Sequence, residues 1–283
     1  MNAASNRIDT RFARLASEQR KALIPFVTAG FPTPEVTVPL MHAMVAAGAD
    51  LIELGVPFSD PMADGPTIQR ASEQALANGQ TLAKTLAMVE AFRAQDRETP
   101  VVLMGYLNPI EAMGWTRFVS EAARVGVDGV LTVDLPPQEA HEPARLLQAA
   151  GIAPIFLLAP TSPETRARVV GELGRGYVYY VSLTGVTGAG HLDVAAVTER
   201  LEALRQWVTL PIAVGFGVKD AQSAQAIAKV AAAVVVGSRL IEAIDADPAN
   251  AIAAVSELLT TLRAAVDTVA ATAEPRGSEK GNE

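Results

Sequence analysis

The stretch Leu51-Ile-Glu-Leu-Gly-Val-Pro-Phe-Ser-Asp-Pro-Met-Ala-Asp-Gly-Pro66 joins a short apolar run to a loop rich in proline and glycine. The run contains Glu53, and a carboxylate inside a strand is costly because desolvation penalises its charged form. A second carboxylate, Asp64, follows in the loop. Glu53 could be half of a structural ion pair and Asp64 an ordinary turn residue. Their closeness along the chain instead predicts two carboxylates at one cavity mouth.

The same alternation of apolar run and helical pattern recurs on both sides of this stretch. Eight strands are predicted, at residues 22–28, 50–54, 100–104, 128–133, 153–158, 177–181, 210–214 and 231–236. Their apolar residues are continuous rather than alternating, which is typical of parallel strands covered on both faces. Eight β/α units in about 250 residues predict an α/β fold, a single closed (β/α)₈ TIM barrel. A doubly wound open sheet is the structural alternative.

Both ends of the chain add segments to the predicted barrel. Ile8, Phe12 and Leu15 have helical spacing, which predicts an extra amphipathic N-terminal helix. The last helix carries one apolar stripe, made of Ile252, Val255, Leu258, Leu259, Leu262 and Val266. We therefore expect one barrel domain over residues 1–273. The polar segment 274–283 has the composition of a disordered tail.

Composition excludes several classes of protein. The chain has 283 residues, 49% of them hydrophobic, which is enough for a full core. Its formal net charge of −8 argues against a nucleic-acid-binding surface. The absence of cysteine excludes disulfides, thiolate metal sites and a cysteine nucleophile, and is compatible with the cytoplasm. No apolar run reaches the roughly 18 residues of a membrane helix.

Glycines follow each of the last three predicted strands. These segments are Gly185-Val-Thr-Gly-Ala-Gly190, Gly215-Phe-Gly217 and Gly237-Ser238. Glycine lets the backbone approach a ligand closely, and N–H groups at helix starts bind anions. Each segment alone could be a tight turn. Because barrels often bind phosphate after strands seven and eight, the set predicts a site for a monophosphate.

Other kinds of chemistry lack their usual patterns. His42, His141 and His191 do not have the spacing of metal ligands, so no metal site is predicted. No serine sits in a nucleophile-elbow sequence, and no lysine lies in a predicted strand, which argues against a Schiff-base aldolase. The strand ends instead supply apolar and aromatic residues that could line a pocket, namely Phe26, Met104, Leu131, Leu157, Tyr179 and Phe216.

These residues together resemble the tryptophan synthase α subunit family. The stretch from Leu51 to Pro66 is similar to the family's signature. Gly176-Tyr-Val-Tyr-Tyr-Val-Ser-Leu-Thr-Gly-Val-Thr-Gly188, Val214-Gly-Phe-Gly217 and Val236-Gly-Ser238 are similar to it at the expected places. The resemblance runs from about Arg7 to Thr268. It implies a lyase that cleaves indole-3-glycerol phosphate to indole and glyceraldehyde 3-phosphate by a retro-aldol reaction, without a metal or Schiff base.

The resemblance also implies roles for individual residues. Glu53 is expected to be the general acid/base, Asp64 to accept the indole N–H, and Tyr179 to assist. The phosphate is expected at Gly188, Gly217, Gly237 and Ser238, and the indole among Phe26, Met104, Leu131, Leu157 and Phe216. Thr187 matches a family residue that closes over the site. The loop carrying Pro57 and Asp60 is expected to face the partner.

That partner, by the same resemblance, is a β subunit in an αββα tetramer. Pyridoxal phosphate is expected only in the β subunit, and no cofactor in this chain. The residues alone leave two other functions open. One is another phosphate-binding barrel enzyme, such as an indoleglycerol-phosphate synthase or a sugar-phosphate epimerase. The other is a mainly regulatory interaction subunit, against which the presence of both Glu53 and Asp64 speaks.

Overall fold

Eight strands pair in chain order and close on themselves. The computed structural model describes residues 6–182, 194–215 and 217–269. Each strand pairs in parallel with the next, and β8 pairs with β1, which confirms the predicted (β/α)₈ barrel. The strands are β1 (Ala22–Thr28), β2 (Ile52–Gly55), β3 (Val101–Gly105), β4 (Gly129–Thr132), β5 (Ala153–Leu158), β6 (Val178–Val181), β7 (Ile212–Gly215) and β8 (Ala233–Val236).

The helices of the described residues surround this barrel. They are α1 (Arg7–Ser17), α2 (Pro34–Ala46), α3 (Pro66–Ala77), α4 (Leu82–Arg93), α5 (Leu107–Met113), α6 (Trp115–Val125), α7 (His141–Ala149), α8 (Glu164–Leu173), α9 (Val194–Leu204), α10 (Ala221–Ala228), α11 (Ser238–Ala246) and α12 (Ala251–Asp267). The short helices α5 and α11 add to the helices that the sequence predicted. None of the helices described here is long and apolar enough to cross a membrane. The polar segment 274–283 lies outside the described residues.

Two aspartates sit just before the strands in which the sequence placed them. Asp50 accepts a hydrogen bond from the Leu23 N–H of β1 at 2.9 Å, and Asp128 accepts one from the Val101 N–H of β3 at 2.8 Å. Each carboxylate thereby pairs a backbone group at the start of a neighbouring strand. Strands β2 and β4 begin after these residues rather than at them.

Alternate strand residues point into the barrel, where α1 closes the N-terminal end. Ile8, Phe12 and Leu15 of α1 are buried, and they join the cluster of inward-facing strand residues. The Phe12 and Tyr177 ring centroids are 6.0 Å apart. The predicted amphipathic helix is confirmed. Because α1 closes this end, the strand ends at the opposite mouth are left for chemistry.

The outer layer packs the remaining strand residues against the helices. Val255, Leu259, Leu262 and Val266 of α12 are buried in this layer, as the predicted stripe requires. Ile252 does not belong to the buried stripe, because 38% of its surface is exposed. It lies in the first turn of α12, at the edge of the packed face.

Candidate active site

Glu53 lies on β2 with its side chain inside the barrel. Its Cα is paired with Phe26 on β1 and Val102 on β3, and none of its surface is exposed. The Tyr177 hydroxyl donates a hydrogen bond of 2.5 Å to Glu53 Oε1. Within the described part of the chain, Oε2 has no hydrogen-bond partner. One carboxylate oxygen is therefore held and the other is free to meet a ligand.

The environment of Glu53 controls its protonation. Burial raises the pKa of its carboxyl, and the hydrogen bond from Tyr177 opposes this rise. The resulting pKa is about 8, compared with an ordinary value of 4.5. Burial outweighs the hydrogen bond because the ionised form loses all contact with water. The carboxyl is therefore protonated at neutral pH, and its pKa of about 8 lies close to neutral pH. This is the range in which a side chain can both give and take protons.

Tyr177 is a site residue that the sequence reasoning missed, although it named the neighbouring Tyr179. The two share one face of the strand because side chains alternate with a period of two. Burial, and then the negative charges of Glu53 and Asp64, raise the pKa of the Tyr179 hydroxyl well above its usual value. Its hydroxyl lies against β7, where a Cβ on Gly215 would overlap it. Glycine at this position makes room for Tyr179.

Asp64 lies half-buried in the loop between β2 and α3. Burial raises the pKa of its carboxyl from 3.8 to about 6, and a hydrogen bond with Tyr106 lowers it. The Tyr106 hydroxyl also accepts a hydrogen bond of 3.0 Å from the Ala63 N–H, and its ring centroid lies 5.4 Å from that of Phe58. Tyr106, which the sequence reasoning also missed, thus ties the loop to the end of β3.

The two carboxyls differ in protonation at neutral pH. With pKa values of about 8 and about 6, Glu53 is protonated and Asp64 is ionised at pH 7. Active sites obtain an acid and a charge-stabilising carboxylate from two titratable groups whose surroundings push their pKa values apart. The arrangement can therefore donate a proton at one point and stabilise a positive charge at another.

A narrow cleft at the barrel mouth brings some of the predicted residues together. Asp64, Phe26 and Met104 line it together with residues that the sequence reasoning did not name: Thr28, Gly55, Val56, Ile68, Ser72, Gly105, Tyr106 and Val133. Leu131 is buried in the barrel interior, and Leu157 lines a neighbouring cleft beside Val133. Phe216 lies outside the described residues.

The predicted phosphate residues follow two adjacent strands. Gly217 comes after β7 with a φ of 87°, in the left-handed region that favours glycine, and Gly237 comes after β8. Ser238 is exposed and begins α11. A Cβ on Gly237 would lie 3.4 Å from the Phe26 ring, so this corner borders the cleft residue Phe26. Gly188 and Thr187 lie outside the described residues.

The outer surface of the β2–α3 loop is exposed. Pro57 is buried within the chain, whereas Asp60 is exposed and its carboxylate accepts a 2.7 Å hydrogen bond from Ser59. Met62, not named from the sequence, is 84% exposed. Asp60 and Met62 thus lie at the exposed tip of this loop, and Pro57 lies below it.

Known proteins resemble this chain over nearly its whole length. The family model described as tryptophan synthase alpha chain matches residues 12–270. The tryptophan synthase alpha chain of Laribacter hongkongensis is 60% identical over 262 residues, covering 93% of this chain and 99% of that protein. The corresponding chain of Burkholderia thailandensis is 58% identical over 263 residues, covering 93% of this chain and 97% of that one.

Solved structures agree with this assignment. Tryptophan synthase subunit alpha from Legionella pneumophila str. Paris superposes with a TM-score of 0.89 at 43% identity, covering 94% of this chain and all of that one. A chain of the aminoacrylate-bound tryptophan synthase from M. tuberculosis superposes with a TM-score of 0.83 at 34% identity, covering 93% of this chain and 100% of that one. Sequence and fold therefore agree, and the chain belongs to the tryptophan synthase alpha chain family.

Proposed function

We propose that in this chain Glu53 transfers the protons of the family's reaction and Asp64 stabilises the positive charge that develops on the ring. That reaction is the retro-aldol cleavage of indole-3-glycerol phosphate to indole and D-glyceraldehyde 3-phosphate, a step of L-tryptophan biosynthesis. The observation that carries the proposal is the fully buried Glu53 carboxyl, whose Oε2 has no partner within the described residues, together with Asp64 in the cleft at the same barrel mouth.

The first half of the reaction is proton transfer to the ring. The Glu53 carboxyl gives its proton to indole C3, and the resulting positive charge appears at the ring nitrogen. Asp64 accepts the N–H of that nitrogen and stabilises the charge, an interaction that is strong where water is excluded. The lower pKa of Asp64 supports this assignment, because Asp64 has to be ionised while Glu53 is still protonated.

The second half breaks the carbon–carbon bond. Glu53, now ionised, takes the proton from the hydroxyl on the carbon attached to C3. The bond between that carbon and C3 then breaks, its electron pair returns to the ring, and the oxygen becomes the aldehyde of glyceraldehyde 3-phosphate. Glu53 ends protonated, so no net proton is consumed. Tyr177 holds the carboxylate by its hydrogen bond, and Tyr179 assists beside it.

The phosphate and the ring occupy different parts of the mouth in this proposal. The phosphate binds at Gly188, Gly217, Gly237 and Ser238. The start of α11 supports this, because backbone N–H groups at a helix start attract anions. The indole is enclosed by Phe26, Met104, Leu131, Leu157 and Phe216, with Thr187 closing over the site. The position of Phe26 between the cleft and Gly237 supports this arrangement.

The family name implies a β-subunit partner. We infer an αββα tetramer in which indole passes to the β subunit and pyridoxal phosphate is bound there, with no cofactor in this chain. The β2–α3 loop, which carries Pro57 and Asp60, is the proposed contact. The exposed Asp60 and Met62 at its tip support this, and the same loop carries Asp64. The cytoplasm is the proposed location, because the substrate is a charged phosphate ester that does not cross membranes unaided.

Indole release from added indole-3-glycerol phosphate tests the proposal. The wild-type chain should form indole, and more of it with a β subunit present. Glu53→Gln should lower kcat about a thousandfold with little change in substrate affinity. The amide has the shape of the carboxyl group but cannot transfer a proton. Asp64→Asn should lower kcat about a hundredfold, because a charge at the ring nitrogen becomes a neutral dipole.

The contrary results are distinct. No indole from the wild-type chain, with or without the β subunit, would overturn the lyase assignment and favour a regulatory role. Near-normal kcat in Glu53→Gln would remove Glu53 from the mechanism. If Asp64→Asn loses only affinity, the charge-stabilising role of Asp64 is wrong.

A further inference from the structure

Thr28 has a buried hydroxyl that finds no partner among the described residues. It is the last residue of β1, and the alternation of the strand puts it on the same inward face as Phe26. Only 2% of its surface is exposed, and within the described residues its Oγ1 has no hydrogen-bond partner. A buried hydroxyl that gives up water without gaining a partner destabilises the fold. Thr28 therefore calls for an explanation outside the packing of the chain.

Other buried threonines differ from Thr28 in this respect. Thr37 is 1% exposed, and its hydroxyl accepts a hydrogen bond of 3.0 Å from the Gly30 N–H. Thr85 is fully buried, and its hydroxyl donates to the Thr81 carbonyl oxygen at 3.1 Å. Among the buried threonines of the described residues, the lack of a partner is thus particular to Thr28 at the barrel mouth.

The position of Thr28 matches the path of the substrate. Thr28 lines the same cleft as Asp64 and is paired with Gly55, two residues after Glu53. On its other side β1 pairs with β8, whose last residue precedes Gly237. The glycerol chain of the substrate has to run from the carbon at Glu53 to the phosphate at Gly237. Thr28 lies on the strand between these two points.

We propose that the Thr28 hydroxyl binds a hydroxyl of the substrate's glycerol chain and selects for it. A threonine hydroxyl can both donate and accept, so it can pair with an alcohol without adding charge next to Glu53. Such a contact favours a polyol phosphate over a deoxy analogue, because a ligand without the hydroxyl leaves Thr28 unpaired. This inference rests on the proposed function, since it assumes that substrate spans Glu53 and Gly237.

The test compares Thr28→Val with Thr28→Ser on two ligands. Thr28→Val keeps the shape and removes the hydroxyl, so kcat/KM for indole-3-glycerol phosphate should fall about tenfold, mainly through KM. Affinity for indole-3-propanol phosphate, which lacks the glycerol hydroxyls, should not change. Thr28→Ser should retain the kcat/KM of the wild type. Should Thr28→Val fold poorly, Thr28→Ala removes the same hydroxyl and serves in its place.

Thermal stability gives a second readout, in which Thr28→Val should exceed the wild type although its kcat/KM is lower. Removing an unpaired buried hydroxyl should raise the Tm of Thr28→Val by about 2 °C without ligand. Thr37→Val, the matched control, should lower the Tm because the Gly30 N–H loses its acceptor. A stabilised variant with weaker substrate binding is not what a purely structural role produces.

Three results would overturn the inference while leaving the lyase assignment intact. They are an unchanged kcat/KM in Thr28→Val, an equal loss of affinity for both ligands, and a Thr28→Ser variant as impaired as Thr28→Val. Failure of the proposed function shows itself differently, as absence of indole from the wild-type chain.

Discussion

Glu53 links the chemistry of the site to the stability of the fold at the scale of a single residue. Its pKa is 4.5 when unfolded and about 8 in the folded chain, so folding favours the protonated carboxyl. The stabilisation is then fully present below pH 4.5 and is lost as the pH rises toward 8. Burial that suits Glu53 to proton transfer therefore makes the protein less stable in mild alkali.

Urea unfolding of the wild type and Glu53→Gln between pH 4 and 9 checks this linkage. The amide does not titrate, and its oxygen can still accept the hydrogen bond from Tyr177. The unfolding free energy of the wild type should fall relative to the variant by up to about 1.4 kcal/mol per pH unit between pH 4.5 and 8. Above that range the difference should become constant. Parallel stability curves would show that the pKa of Glu53 is not raised.

Tyr106 should control the pH at which Asp64 becomes active. The hydrogen bond with Tyr106 lowers the pKa of Asp64, which burial raises to about 6. Asp64 has to be ionised, so kcat/KM should decline below about pH 6 in the wild type. In Tyr106→Phe the hydrogen bond is lost, the pKa of Asp64 rises, and this acid limb should move to higher pH.

Steady-state kinetics across pH 5 to 8 measure that shift. Tyr180→Phe is the matched control, because Tyr180 is equally buried but lies on the outer face of β6. Its acid limb should stay in place. A Tyr106→Phe profile that superposes on that of the wild type would separate Tyr106 from the ionisation of Asp64.

At the scale of elements, the Asp128 carboxylate joins four of them at the closed end of the barrel. It accepts from Arg7 of α1 at 2.8 Å, Arg93 of α4 at 2.7 Å and the Val101 N–H of β3, and it directly precedes β4. The Arg93 side chain is only 9% exposed. Asp128→Asn removes the nearest and most buried counter-charge of this guanidinium and leaves it, among the described residues, only Asp96 at 4.0 Å, so the unfolding free energy should fall by about 3–5 kcal/mol.

Chemical denaturation and indole formation by the folded protein together test this expectation. Asp267→Asn is the control, because Asp267 is 38% exposed in its ion pairs with Arg20 and Arg263 and should contribute less than about 1 kcal/mol. Folded Asp128→Asn should retain the kcat of the wild type, since Asp128 lies at the end opposite the mouth. A loss of kcat without a loss of stability would contradict this division.

The sequence predicts elements well where the pattern is local. Continuous apolar runs identify all eight strands, and the spacing of Ile8, Phe12 and Leu15 identifies α1. The roles of Asp50 and Asp128 are not predicted, because their carboxylates bond to backbone groups of neighbouring strands, which no local pattern reveals. The same limit applies in the site. Glu53 stands out as an acid in an apolar run, whereas Tyr106 has meaning only once the β2–α3 loop lies over it.

At the scale of the whole molecule, the closed barrel separates its two ends. Ion pairs and α1 stabilise the N-terminal end. The mouth combines two costly groups: a fully buried carboxyl, and a buried hydroxyl that has no partner among the described residues. The mouth also carries the exposed tip of the β2–α3 loop. Met62 and Asp64 lie close together in this loop. Met62 faces outward, whereas Asp64 lines the cleft. A protein bound to the tip can therefore influence the position of Asp64.

Met62→Lys tests this coupling between the partner surface and the site. Met62 is 84% exposed, and a β subunit that covers it would gain apolar contact that a lysine cannot supply. The Kd for the β subunit, measured by isothermal titration calorimetry, should rise about tenfold, while the isolated chain keeps its own turnover. Ile252→Lys is the matched control, because Ile252 is also an exposed apolar residue but lies on α12. Its Kd should equal that of the wild type. Equal weakening by both substitutions would mean that added charge, and not the β2–α3 loop, governs the association.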